Sequence, residues 1–220
     1  MAYELSDKYI NVELNDNEKY LLLKKIIHDL QKNKHKITDN NINSLLVIGH
    51  PASMKTTFIK KYLKKSKTFD INNTIIIDAD DIKKYMPDYI KNTTIDNKNI
   101  TSKYIGDKAI LYKWFNKKII KYFIKQKQYN LIIESVCAYE KYCINIIDML
   151  VNNKYIVNIV GLHNNNLKQV KHLANQRFKK TGRYINEKYI ESTYNNNLKN
   201  INNIINLNKN RINKYEIVAI

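Results

Sequence analysis

Lys55 and Thr56 stand at the one place in this sequence where residue type and spacing together suit a phosphate. The loop Gly49-His50-Pro51-Ala52-Ser53-Met54 precedes them and Thr57 follows. The apolar run Leu45-Leu46-Val47-Ile48 leads in, and Phe58, Ile59, Tyr62 and Leu63 continue at helical spacing. A strand, a tight loop and Lys-Thr at a helix start form the layout of a phosphate-binding loop. Backbone N–H groups at such a helix start face an anion, and the helix dipole favours negative charge there. In that layout Lys55 reaches the outer phosphates and Thr56 offers its hydroxyl to a metal ion. Glycine is used where such a loop needs positive φ or close backbone approach. Here Met54 directly precedes the lysine and Ala52 stands at a second usual glycine position. Those two residues predict a distorted cradle or weakened nucleotide binding. Taken alone, the segment is equally well an ordinary strand–turn–helix corner.

Acids close the next two apolar runs. Thr74-Ile75-Ile76-Ile77 ends in Asp78, followed by Ala79, Asp80 and Asp81, and Asn130-Leu131-Ile132-Ile133 ends in Glu134. Carboxylates at strand ends can take a proton from a substrate hydroxyl or hold a metal through water. A helix cap with acidic first-turn residues is the competing reading, and it is the one expected for Asp81. Arginine is scarce: the chain has three, of which Arg177 and Arg183 flank Lys179-Lys180-Thr181-Gly182. A guanidinium grips phosphate with two parallel hydrogen bonds, which an ammonium does not. In a lysine-rich chain, two neighbouring arginines suggest a geometric demand. Arg211 has no motif and reads as a surface residue.

The elements that must position these groups follow from periodicity. A helix is predicted over 16–34, and strands near 44–48, 74–78, 130–134, 155–161 and 215–220. Further helices are predicted from 55 to 65, from about 81, over 107–127, 139–152, 166–180 and 186–206. Apolar strands alternating with amphipathic helices imply a parallel sheet covered on both faces. Ligands of such sheets bind at the C-terminal strand edge, which is where Gly49, Asp78 and Glu134 fall. With no Pro/Gly/Ser linker and no repeat, one domain over 1–220 is expected. Its nucleotide-binding core would span about 44–161, and its arginine-bearing lid and C-terminal helices about 166–206.

The 220 residues suffice for an α/β core, and the net charge is +18. That charge attracts anionic partners, nucleic acid included. The excess is spread as lysine alongside abundant Asn and Ile, so a diffuse solvated surface is expected first. Cys137 and Cys143 make no disulfide framework and are expected as reduced thiols in a cytoplasm-like compartment. No signal peptide or membrane-spanning run is visible.

The loop over Gly49–Thr57, the strand into Asp78-Ala79-Asp80-Asp81-Ile82-Lys83-Lys84-Tyr85-Met86-Pro87-Asp88-Tyr89, and the strand ending Ile133-Glu134-Ser135 together resemble the zeta-toxin family of P-loop kinases. The likeness runs in order from about Leu45 to Tyr189. It implies a P-loop kinase three-layer α/β sandwich whose mostly parallel sheet has about five strands. It implies transfer of the γ-phosphate of ATP (or GTP), with Mg²⁺, to a hydroxyl of a UDP-activated amino sugar. By the resemblance Lys55 and Thr56 bind phosphate and Mg²⁺, Asp80 is the general base, and Glu134 lies near substrate and metal. Arg177 and Arg183 match paired arginines at the nucleotide phosphates. Ser102 and Asp107 fall where the family places part of its substrate pocket, although a helix N-cap explains either. Met86 stands where the family has His before Pro, and Ser135-Val136 where it has Gly-Thr, which touches acceptor specificity more than fold.

Two other functions compete. A polynucleotide or nucleotide kinase would use the +18 charge, and a degenerate binding or structural protein would follow from Met54 and Ala52. His50 reads as a spacer within the loop, and His163 as a loop histidine after the fourth strand. The sequence names neither an antitoxin-like partner nor a self-association surface.

Overall fold

The computed structural model describes residues 13–38, 41–87, 109–181 and 185–220. Among the described residues five strands form one sheet: β1 (Asn43–Gly49), β2 (Thr74–Asp78), β3 (Asn130–Ser135), β4 (Ile156–His163) and β5 (Lys214–Ala219). Their order is β2-β3-β1-β4-β5, and every pairing is parallel. Helices connect them: α1 (Asp16–Gln31), α2 (Lys55–Lys65), α3 (Ala79–Ile82) with a 3₁₀ turn over Lys83–Tyr85, α4 (Ala109–Gln126), α5 (Glu140–Asn152), α6 (Leu167–Thr181) and α7 (Glu187–Asn208). This is the expected α/β P-loop kinase architecture, with an all-parallel sheet and element boundaries within a few residues of prediction.

Side chains alternate across the sheet, so the strands β1 to β4 feed two cores, while β5 at the edge is largely exposed. Leu46, Ile48, Ile75, Ile77, Leu131, Ile133, Val157 and Ile159 pack with α1, α4, α5 and α7. Leu45, Val47, Ile132, Val160 and Leu162 face the other way, onto Ile59 of α2 and Phe69. Strands buried on both faces read as unbroken apolar runs, which explains why they were conspicuous. At Gly161 an added Cβ would lie 2.6 Å from Ile201 of α7; only a bare Cα admits that helix so close. A third small cluster joins α6 to α7 through Val170, Ala174 and Ile190. Among the described residues, no helix is long and apolar enough to cross a membrane.

Two expectations require correction. Cys137 and Cys143 are joined by a disulfide, with Cα atoms 5.8 Å apart, rather than held as free thiols. Six residues along one helix would separate the sulfurs, but only Cys143 lies on α5. Cys137 sits in the preceding turn with a left-handed φ of 49°, which folds it back. His163 is the last residue of β4 rather than part of the following loop.

Candidate active site at the sheet edge

Parallel register brings the predicted acids together. Glu134 pairs with Val47 of β1 on one side and with Asp78 of β2 on the other, so two carboxylates share the C-terminal edge beside Gly49. Gly49 is required by close approach: a Cβ there would sit 2.3 Å from Ser53 Oγ and 3.1 Å from the Leu162 carbonyl. The chain then turns over Ser53, whose N–H donates to the His50 carbonyl at 3.2 Å, and enters α2 at Lys55.

The two residues at usual glycine positions take glycine-type backbone angles. Ala52 has φ 61° and Met54 φ 52°, so both occupy the left-handed region, and Met54 is the N-cap of α2. The loop keeps a glycine-type shape at a cost of about 1–3 kcal/mol per strained residue. The Met54 side chain points outward and is half exposed, while Ala52 packs on the α6–α7 cluster.

Lys55 is buried. Its Nζ donates to the Gly49 carbonyl (2.9 Å), the His50 carbonyl (3.0 Å) and Ser53 Oγ (3.5 Å), and lies 4.0 Å from Glu134 Oε1. Burial pulls its pKa down, against the pull of Glu134. The Thr56 hydroxyl donates to Glu134 Oε2 at 3.2 Å. Burial, then the nearby Asp78, pushes Glu134 up to about 7, against the opposing effect of Lys55. Asp78 is the N-cap of α3 and accepts from the Asp80 N–H at 2.8 Å. Asp81, as expected, is a first-turn acid, paired with Lys84. Asp80 accepts from Lys83 (2.9 Å) and from Arg177 Nη2 of α6 (2.9 Å), so the arginine helix reaches back over the sheet edge.

Lys55, Thr56, Asp78, Asp80, Glu134 and Arg177 thus gather around one edge, and Gly49 to Thr57 form the loop above it. Arg183, Ser102 and Asp107 lie outside the described residues. His50 was legible only as a spacer. It is fully buried, its Nδ1 is 2.8 Å from the Pro51 carbonyl, and its Nε2 accepts from the Asn164 N–H at 3.3 Å. Tyr194 and Asn164 carried no signal of their own.

The sequence model of the Zeta toxin family matches residues 28–218. The chain belongs to that family. A solved chain from the PezAT chromosomal toxin–antitoxin system of the human pathogen Streptococcus pneumoniae superposes on this zeta toxin family member with a TM-score of 0.66 at 18% identity. The match covers 94% of this chain and 78% of that one, and at such identity it speaks for the shared fold. A comparison with curated proteins finds no match.

In this zeta toxin family chain the donors fit a nucleotide with a hard cation. The bare Cα of Gly49 lets the loop fold closely over the strand end, where a Cβ would meet Ser53 Oγ and the Leu162 carbonyl. The Thr56 hydroxyl and the Glu134 carboxylate are the oxygen ligands that Mg²⁺ takes. Among the described residues no group of three His, Cys, Asp or Glu side chains could hold a metal ion.

Proposed function

We propose that this chain is a phosphotransferase that moves the γ-phosphate of ATP or GTP to a hydroxyl of a small molecule, of which a UDP-amino sugar is the leading class. The observation that carries the reading is the meeting of Lys55 and Thr56 with Glu134 and Asp78 at the strand ends, while Arg177 reaches Asp80. Phosphoryl transfer needs mostly positioning and charge neutralisation, with one carboxylate orienting the attacking hydroxyl.

Each residue then has a role. The loop N–H groups from Gly49 to Thr57 cradle phosphate, and Lys55 neutralises its outer oxygens. Mg²⁺ would supply further neutralisation of the phosphate charge; Thr56, and Glu134 through water, are the residues that would hold it. Asp80 accepts the hydroxyl proton. It is paired with Lys83 and Arg177, so it acts as a base only when Arg177 turns to the phosphates, where Arg183 joins it. Asp78 and Glu134 face the acceptor, and the family resemblance assigns Ser102 and Asp107 to its binding as well. The likeness to a chain of a toxin–antitoxin system supports an antitoxin as protein partner, and a single domain over 1–220 is proposed as the unit.

The test is transfer of labelled phosphate from ATP to a panel of sugar nucleotides, nucleosides and 5′-hydroxyl oligonucleotides. Labelling of a sugar nucleotide that is lost in Asp80→Asn, with the fold intact, is the expected outcome. Labelling of oligonucleotides alone would move the acceptor to nucleic acid. Mg-ATP binding without any transfer would leave a degenerate nucleotide-binding protein.

A further inference from the structure

We propose that His50 is a positioning residue that holds the phosphate loop in its left-handed shape from behind, a task glycine performs in loops of this kind. The inference rests on reading Gly49–Thr57 as a nucleotide site. Glycine takes the left-handed region freely, whereas a residue with a Cβ stays there only where its surroundings fix it. Ala52 and Met54 both stay there, so something outside their own backbone must fix them.

The His50 ring has two nitrogens with two different fixed partners. The Pro51 carbonyl can only accept, so Nδ1 carries the proton and donates across 2.8 Å. The Asn164 N–H can only donate, so Nε2 is bare and accepts at 3.3 Å. One neutral tautomer satisfies both. The Pro51 carbonyl belongs to the peptide leading into Ala52. The ring therefore sets the orientation of the peptide just before the first left-handed residue, and anchors it to the backbone beyond β4.

The ring itself cannot drift. Tyr194 of α7 lies 5.4 Å from it between centroids and His163 of β4 lies 6.1 Å away, edge-on. Tyr194 and His163 are 5.6 Å apart, and Asn197 of α7 sits 3.3 Å from His163 Nδ1. Tyr194 also packs, with Ala52, on the cluster of Val170, Ala174 and Ile190. The loop is thus braced by the same helix pair whose first member carries Arg177. A histidine that merely filled space would need neither a fixed tautomer nor a bond to the loop's own carbonyl.

The experiment combines ¹⁵N NMR of the imidazole with calorimetry of Mg-ATP on wild type, His50→Phe, Ala52→Gly and the double variant. The ring should be the Nδ1–H tautomer and stay neutral through pH 5. His50→Phe should weaken Mg-ATP about tenfold, the affinity equivalent of releasing one strained left-handed residue. Ala52→Gly should recover most of that loss in the double variant, because glycine takes the left-handed angle at the peptide His50 holds without help. An Nε2–H tautomer, or a double variant as weak as His50→Phe, overturns the proposal. Where His50→Phe does not fold, His50→Gln, which keeps one of the two hydrogen bonds, should show a smaller loss with the same rescue; no rescue again overturns it. A wild type that binds no Mg-ATP refutes the nucleotide reading instead, and the ring tautomer then decides the brace.

Discussion

At the scale of single residues, the loop shows a shape surviving a change of residue type. Sequence reasoning expected Ala52 and Met54 to distort it, because glycine's usual role there is conformational. Both residues hold left-handed backbone angles, so the cost of a side chain there is strain, and strain can be measured. Met54→Gly should raise stability by up to about 1 kcal/mol, the relief being partly offset by the freer unfolded chain. Met54→Val should lower it by about 2 kcal/mol, since a β-branched residue is a severe outlier at positive φ. Urea unfolding of the two variants checks the contrast. His50 gives a second prediction. Burial lowers its pKa to about 4 against the opposing pull of the Pro51 carbonyl, and Lys55 and His163 add to the drop. Between about pH 6.5 and pH 4 the unfolded chain binds a proton there and the folded chain does not, so stability falls with pH. The loss contributed by His50 should approach about 3 kcal/mol by pH 4 and vanish above pH 7. His50→Gln should flatten that part of the pH profile of urea unfolding.

At the scale of elements, what was legible and what was not divide by the range of the cause. Strands β1 to β4 were legible because burial makes them apolar runs, and their acids because Asp78 and Glu134 close two of those runs, whereas β5 is exposed along most of its length and stood out less. Lys55 and Thr56 follow from the local strand–loop–helix pattern. The bracing of the loop was not legible: His50 meets Asn164 and Tyr194 only because β1 and β4 are sheet neighbours, and no local spacing encodes that. The disulfide was missed for a local reason: the left-handed backbone at Cys137 that folds it back toward Cys143 has no signature in residue type. Close helix-to-sheet contact predicts that Gly161→Ala will lose about 1–3 kcal/mol, because its methyl would meet Ile201 in a packed core. Reduction of Cys137–Cys143 should cost about 2 kcal/mol for so short a closed loop. Thermal unfolding with and without dithiothreitol measures it, and a Cys137→Ser variant should no longer respond.

At the scale of the whole molecule, the excess of 38 basic over 20 acidic residues acts as a field. Many of the acids on the surface are already engaged: Lys171 takes Glu187 and Glu191, and Arg211 takes Asp148. Lys60, Lys61, Lys64 and Lys65 on α2, and Lys113, Lys117, Lys118, Lys121 and Lys125 on α4, stay exposed. Like charges repel within the compact state, and salt screens them over about 10 Å at 0.1 M. Raising NaCl from about 10 mM to about 0.5 M should therefore stabilise the fold by about 1 kcal/mol, or about 2–4 °C in Tm for a chain of this size. A fall in Tm would instead mean that the surface ion pairs outweigh the repulsion. The same field bears on the choice of acceptor. Any polyanion should bind this surface at low salt, with an affinity that drops steeply as salt rises. Oligonucleotide binding at about 10 mM salt thus reports charge alone. If the acceptor is a small molecule held by Asp80 and Glu134, its phosphorylation should persist at about 0.15 M, where oligonucleotide binding has largely gone. Gel-shift and transfer assays run side by side across the salt series separate the two.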